Sequence, residues 1–242
     1  MLLTEITNLF ISYWHLILLF FIVAILYSSV GFGGGSSYLT ILALTGIIFT
    51  QIRATALLCN IVVVAGNVLL FHQQKKMNWK KIFPLVLFSV PFAFLGGKLK
   101  ISQNFFFILL GFTLLFAAIT MWISKKNSSS EEKSSKLNFK KNAGFGGFIG
   151  FISGMVGIGG GIFLAPLLHL TNWDTPKKIA ATASFFILVN SFAGLVGQYV
   201  NPDFYIDWNL TSILLIVVFI GGQIGRRISN NYFTPIQLKK AT

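Results

Sequence analysis

Six long stretches of this chain hold no charged residue: 9–30, 54–71, 82–95, 105–123, 180–200 and 210–224. About 18 apolar residues in a row is the length a helix needs to cross a bilayer. In hydrocarbon each backbone N–H and C=O must be satisfied without water, which leaves helices as the elements such stretches form. Composition agrees, with 55% of the 242 residues hydrophobic and 10% charged, against about 25% charged in soluble domains. The predicted fold class is an all-α polytopic membrane protein.

Two glycine clusters interrupt this pattern, "VGFGGG" at 30–35 and "VGIGGG" at 156–161. Glycine costs about 1 kcal/mol against alanine inside a helix. The clusters therefore mark places where the backbone bends or is approached closely. Other landmarks recur in the same order. "ATA" at 54–56 returns at 181–183, and "GG" at 96–97 returns at 221–222. The chain reads as two copies of one unit, a first transmembrane repeat at 1–123 and a second at 143–242. The segment 124–142, "SKKNSSSEEKSSKLNFKKN", is a polar linker of disorder-like composition.

Basic residues favour the cytoplasmic side of a membrane, and they discriminate between two topologies. If each glycine cluster turns a hairpin, loops 72–81, 124–142, 171–178 and 226–242 share one face. Those loops hold every Lys and Arg except Arg53, Lys98 and Lys100. If each glycine segment crosses once, the basic residues divide almost evenly. The hairpin topology is the expectation, with the second copy inverted relative to the first. The returning arms, 36–49 and 162–170, are short: 14 residues of helix reach about 21 Å, against a core of about 30 Å. The hairpin tips are expected to stop inside the membrane, one entering from each side. The N-terminus and the acidic loop "NPDFYID" (201–207) then lie outside, and the linker 124–142 in the cytoplasm. Inverted repeats whose interrupted elements meet near the midplane recur among transporters.

A helix that starts after a glycine cluster leaves N–H groups unpaired and carries partial positive charge at that end. Two such ends brought together make an anion site without a charged side chain. The candidate substrate-binding residues are Gly33, Gly34, Gly35, Ser36 and Ser37 in the first copy, with Thr55 and Asn60 on the next span. The second copy offers Gly159, Gly160, Gly161, Thr182 and Asn190, with Ser184 nearby. Substrate contact and interhelical hydrogen bonding are equally open for Asn60 and Asn190. Gly146, Gly150 and Gly154 have GxxxG spacing and read as helix packing.

Other function classes find little here. No Gly-Lys-Ser/Thr follows the glycines, and no βαβ pattern surrounds them, so neither a Walker loop nor a dinucleotide fingerprint is present. His15, His72 and His169 are scattered, and Cys59 is the single cysteine. No catalytic set, metal site or cofactor is expected. The net charge of +13 is assigned to cytoplasmic loops and an anionic cargo rather than to nucleic acid. The N-terminus has Glu5 as its only charge and does not read as a cleaved signal peptide. All six acids lie in predicted loops or termini, so the carboxylate that a proton or sodium relay needs in the membrane is missing. An anion leaving a negative-inside cell gains about 2.3 kcal/mol per charge per 100 mV, which lets efflux run without a coupling ion.

The segments "SSVGFGGGSSYLTILALTGI" and "IRATALLCNIVVVAGN", repeated as "SGMVGIGGGIFLAPLLHLTNWDTPKKIAATASFFILVNSFAGLVGQ", resemble the TauE/SafE sulfite exporter family, also called the TSUP transporters. The resemblance covers nearly the whole chain. It implies a multi-pass permease of the cytoplasmic membrane that takes sulfite, sulfonates, related sulfur oxyanions or organic acids. The glycines at 31, 33, 34 and 35 and at 157, 159, 160 and 161 match its motif, and Thr55 and Thr182 match the start of the following helix. One departure is expected: the second copy ends at "RRISNNYFTPIQLKKAT" without a counterpart of 105–123. An anion channel and a non-transporting membrane subunit or sensor are the alternatives, and a homo-oligomer is compatible with each.

Overall fold

The computed structural model describes residues 2–126, 139–171 and 173–232. Among these the chain is all-helical, with nine helices: α1 (Leu2–Val30), α2 (Gly35–Ala43), α3 (Phe49–Gln73), α4 (Trp79–Lys98), α5 (Gln103–Lys126), α6 (Phe139–Val156), α7 (Gly161–Leu170), α8 (Pro176–Tyr199) and α9 (Trp208–Tyr232). Six contain segments long and apolar enough to cross a membrane: Ile11–Val30, Phe49–Gln73, Trp79–Lys98, Gln103–Thr120, Pro176–Tyr199 and Trp208–Ser229. This is a multi-pass membrane protein, and those six segments overlie the six uncharged stretches of the sequence. Most of the linker 124–142 lies outside the described residues.

The two glycine clusters separate α1 from α2 and α6 from α7. The first returning arm is shorter than its apolar sequence suggests. α2 is a helix of 9 residues, about 13 Å long, and the chain turns at Leu44–Gly46 before α3 begins. α2 doubles back along α1: Tyr38 stacks on Phe20 at 4.6 Å between ring centroids, and Ser37 Oγ donates to the Tyr27 hydroxyl at 2.9 Å.

Small residues set the helix packing. A Cβ at Gly146, Gly150 or Gly154 would strike the α4 backbone at Leu85, Ser89 and Ala93 respectively, so the GxxxG stripe of α6 lets two backbones touch. Gly221 and Gly225 do the same for α9 against Phe21 and Ile25 of α1. These contacts rise together along both helices of each pair, so α6 runs parallel to α4 and α9 parallel to α1. α1 therefore packs against α9, and α6 against α4. α3 and α8 are the most buried spans and occupy the centre. They run antiparallel, with Leu57 against Gly194.

Ion pairs join the loops at each end. At one end Lys81, in the first turn of α4, meets Asp174 at 3.3 Å and donates to Trp173 O at 2.6 Å. Lys178 meets the same carboxylate at 3.5 Å. At the other end Lys100 meets Asp203 at 3.2 Å. Loops 72–81 and 171–178 thus share one end of the bundle, and 99–102 and 201–207 share the other. The count of basic residues gives the same grouping.

Candidate functional site

The two glycine segments are built alike. Each preceding helix closes with a glycine of positive φ, Gly31 at 91° and Gly157 at 88°. The next N–H reaches back five residues, Phe32 to Tyr27 O at 2.8 Å and Ile158 to Ser153 O at 3.2 Å. This is the Schellman closure, which ends a helix sharply. The second helix of each hairpin then starts from a left-handed glycine cap, Gly34 at φ 84° and Gly160 at φ 83°, with no side-chain cap bond. Residues with a Cβ avoid this conformation.

The first intrahelical bond of α2 runs from Tyr38 N–H to Gly34 O at 3.0 Å, and those of α7 run from Phe163 and Leu164 to Gly160 O. The N–H groups of Gly35, Ser36 and Ser37, and of Gly161 and Ile162, precede these bonds, so their own helices give them no acceptor. Both helix starts line one cavity of about 80 Å³. Gly33, Gly34, Gly35 and Ser36 come from the first tip, and Ile158, Gly161 and Ile162 from the second. Asn60, Ile187 and Tyr27 contribute side walls, and no charged side chain lines it. The volume exceeds the roughly 30 Å³ share of one water and suits a small ion.

Asn60 joins the tips. It is fully buried, and its Nδ2 donates to Ile158 O of the second tip at 2.8 Å. Its amide also lies against Gly33 and Gly35 of the first tip, where any Cβ would overlap it. Its Oδ1 has no partner. The first tip is held from the other half in turn, by a bond from Ser184 Oγ to Gly31 O.

Of the residues singled out from sequence, the cavity brings together Gly33, Gly34, Gly35, Ser36, Asn60 and Gly161. Ser37 faces Tyr27 instead. Gly159 stands behind the lining, against Ser191 Oγ and Asn60 Nδ2, and Gly160 lies against Phe186 and Ile149. Thr55 Oγ1 sits 3.1 Å from Thr211 Oγ1, tying α3 to α9. Thr182 Oγ1 donates to Lys178 O of its own helix at 2.8 Å. Asn190 Nδ2 donates to Ser89 Oγ of α4 at 3.0 Å and to Phe186 O of its own helix at 2.8 Å, and its Oδ1, like that of Asn60, has no partner. Ile187 was not singled out, although the 127-residue offset that pairs Thr55 with Thr182 also pairs Asn60 with Ile187.

Comparison with known proteins bears on this arrangement. The family model for the sulfite exporter TauE/SafE matches residues 16–241. The chain is 33% identical over 226 residues to the probable membrane transporter protein y4hK of Sinorhizobium fredii, covering 91% of this chain and 89% of that protein. It is 26% identical over 240 residues to the probable membrane transporter protein MJ0441 of Methanocaldococcus jannaschii, covering 93% and 88%. It is 25% identical over 198 residues to the probable membrane transporter protein YunE of Bacillus subtilis, covering 74% and 72%. No solved structure matches the chain.

Proposed function

The chain belongs to the sulfite exporter TauE/SafE family of membrane transporters, and we propose that it exports a small anion such as sulfite, a sulfonate or a related sulfur oxyanion. The anion is bound between the two glycine tips. The observation that carries this reading is the shared cavity, where the starts of α2 and α7 face one space beside Asn60 and no charged side chain intrudes. Each helix start offers unpaired N–H groups and a partial positive charge. In a water-poor interior these dipoles act more strongly than they would in water. Asn60 Oδ1, an acceptor without a partner, suits a ligand that also carries an O–H, such as a singly protonated oxyanion.

The reading includes topology. The two halves are inverted repeats, entering the membrane from opposite faces. The parallel pairs α1–α9 and α4–α6 and the separate loop clusters at the two ends support this. The end with Lys81 and Lys178 faces the cytoplasm, with the linker 124–142, because basic residues concentrate there. The N-terminus lies outside.

The test is substrate-evoked current on a solid-supported membrane. The reconstituted chain is challenged with sulfite, thiosulfate, a sulfonate, chloride and a carboxylate. A saturable current for a sulfur oxyanion or sulfonate is expected. Absence of both current and radiolabel flux for all of these anions overturns the reading, and a conductance that grows without saturation replaces the carrier with a channel.

A further inference from the structure

Arg53 is a buried cation that the tip cavity does not use. It lies near the start of α3, just before the uncharged stretch 54–71, and is 3% exposed. Its Nη2 donates to Gly154 O at 3.3 Å, while its Nε has no partner. No acid pairs with it among the described residues. Asp174 is held by Lys81 and Lys178, Asp203 by Lys100, and Asp207 accepts from the backbone of Asn209 and Leu210. A buried charge without a counter-ion is costly, and inside a membrane such residues mark ion and substrate pathways.

A second orphan stands at the same level. Gln198 of α8 is buried, and its Nε2 has no partner. In the antiparallel register that sets Leu57 against Gly194, Arg53, one turn before Leu57 on α3, and Gln198, one turn after Gly194 on α8, stand level with one another. Both supply N–H donors. The second tip runs alongside: a Cβ at Gly157 would lie 3.2 Å from Arg53 O, and one at Gly159 would lie 3.0 Å from Asn60 Nδ2.

We propose that Arg53 and Gln198 form a second anion-binding step for the same small oxyanion. It lies about 10 Å along α3 from Asn60, toward the end that carries Lys100 and Asp203. The inference rests on the tip cavity as the first step. At the positions related by the 127-residue offset stand Ala180 and Phe71, which pack into an apolar cluster with Ala181. An anion leaving the tips toward Arg53 meets a cation, and one leaving toward Phe71 meets an apolar wall. The competing role for Arg53 is structural. Gly154 O belongs to the last turn of α6, where a cation complements the helix dipole.

Equilibrium binding of radiolabelled sulfite to the purified full chain separates these roles. Wild type is expected to bind two sulfites per chain and Arg53→Gln one, with the remaining site at wild-type affinity. Gln198→Leu is expected to weaken the second site about tenfold or more and leave the first untouched. Arg53→Lys, which keeps the cation, is expected to retain both sites. Two sulfites bound by Arg53→Gln at wild-type affinity, or one bound by wild type, overturns the second step and leaves the tip site standing. Where wild type binds no sulfite, the same titration runs with thiosulfate and a sulfonate, and no binding of any of the three overturns both. Where Arg53→Gln does not fold, an unchanged two-site isotherm in Gln198→Leu overturns the proposal.

Discussion

The two glycine tips share a backbone and differ in what faces it. Both close a helix with a left-handed glycine, and both open the next helix from another, Gly34 or Gly160. The first tip meets the Asn60 amide across Gly33 and Gly35, whereas the second meets the aliphatic end of Ile187 across Gly161. The peptide between the caps differs too. Gly159 holds φ at 80°, while Gly33, its counterpart, is outside the positive-φ set. The two helix starts, arranged alike, therefore meet different side chains, an amide across Gly35 and an aliphatic chain across Gly161. The repeated glycines preserve the backbone, and the difference comes from α3 and α8.

The largest effect expected is at Gly35. A Cβ there would sit 2.8 Å from Ile158 O and against the Asn60 amide, and a backbone carbonyl cannot swing away. Gly35→Ala is expected to weaken sulfite binding about 100-fold or more and to cost about 1–3 kcal/mol of stability. Gly161→Ala meets the Ile187 side chain at Cδ1 and Cγ1 and no backbone atom, so a smaller loss, less than about tenfold, is expected in the same titration. Equal losses would break the contrast between the walls.

Asn60→Leu comes next. It leaves Ile158 O buried without its donor, which costs about 1–3 kcal/mol, and binding is expected to fall about 10- to 100-fold. Ile187→Val is expected to cost about 0.5–1.5 kcal/mol and to keep sulfite affinity, as read by a melting curve with and without sulfite. Gly34→Ala and Gly160→Ala test what the tips share. Each forces a Cβ into the left-handed region, at about 1–2 kcal/mol. Matching drops in melting temperature are expected, and unequal ones would show that the two backbones are not equivalent.

The smallest effects fall at the two ends of the bundle. Burial raises the Asp174 pKa, but the Thr175 N–H together with Lys81 and Lys178 outweighs it and holds the carboxyl below its ordinary value. The folded pKa lies below the unfolded value of about 3.9. The stabilisation is therefore complete above that pH and is lost as pH falls through the folded pKa. The melting temperature should decline below about pH 4, less steeply in Asp174→Asn. The Lys100–Asp203 pair is more than half exposed on both sides, so Lys100→Ala should change stability by under about 0.5 kcal/mol.

The spans, the hairpins and the α6 stripe were legible because each rests on local pattern: apolar run length, glycine clusters and four-residue spacing. Thr182 shows where local pattern stops. In a helix a threonine hydroxyl can bond the carbonyl one turn back, and Thr182 does so with Lys178 O, outside the lining of the tip cavity. Asn190 is engaged with Ser89 of α4, a partner about a hundred residues away that only tertiary packing supplies. Arg53 stands just before the uncharged stretch 54–71, yet α3 begins four residues earlier and buries it. Ile187 drew no attention because it is apolar. Only alignment of the two halves reveals it as the counterpart of Asn60.

The central claim is that one anion sits between the two tips. Selenite carries selenium where sulfite carries sulfur, so anomalous diffraction from crystals of the full chain soaked in selenite locates it directly. The account predicts a selenium peak between the first turns of α2 and α7, beside Asn60 and near Ser36 and Gly161. Selenite that binds the protein in solution but gives no peak between the tips would contradict it.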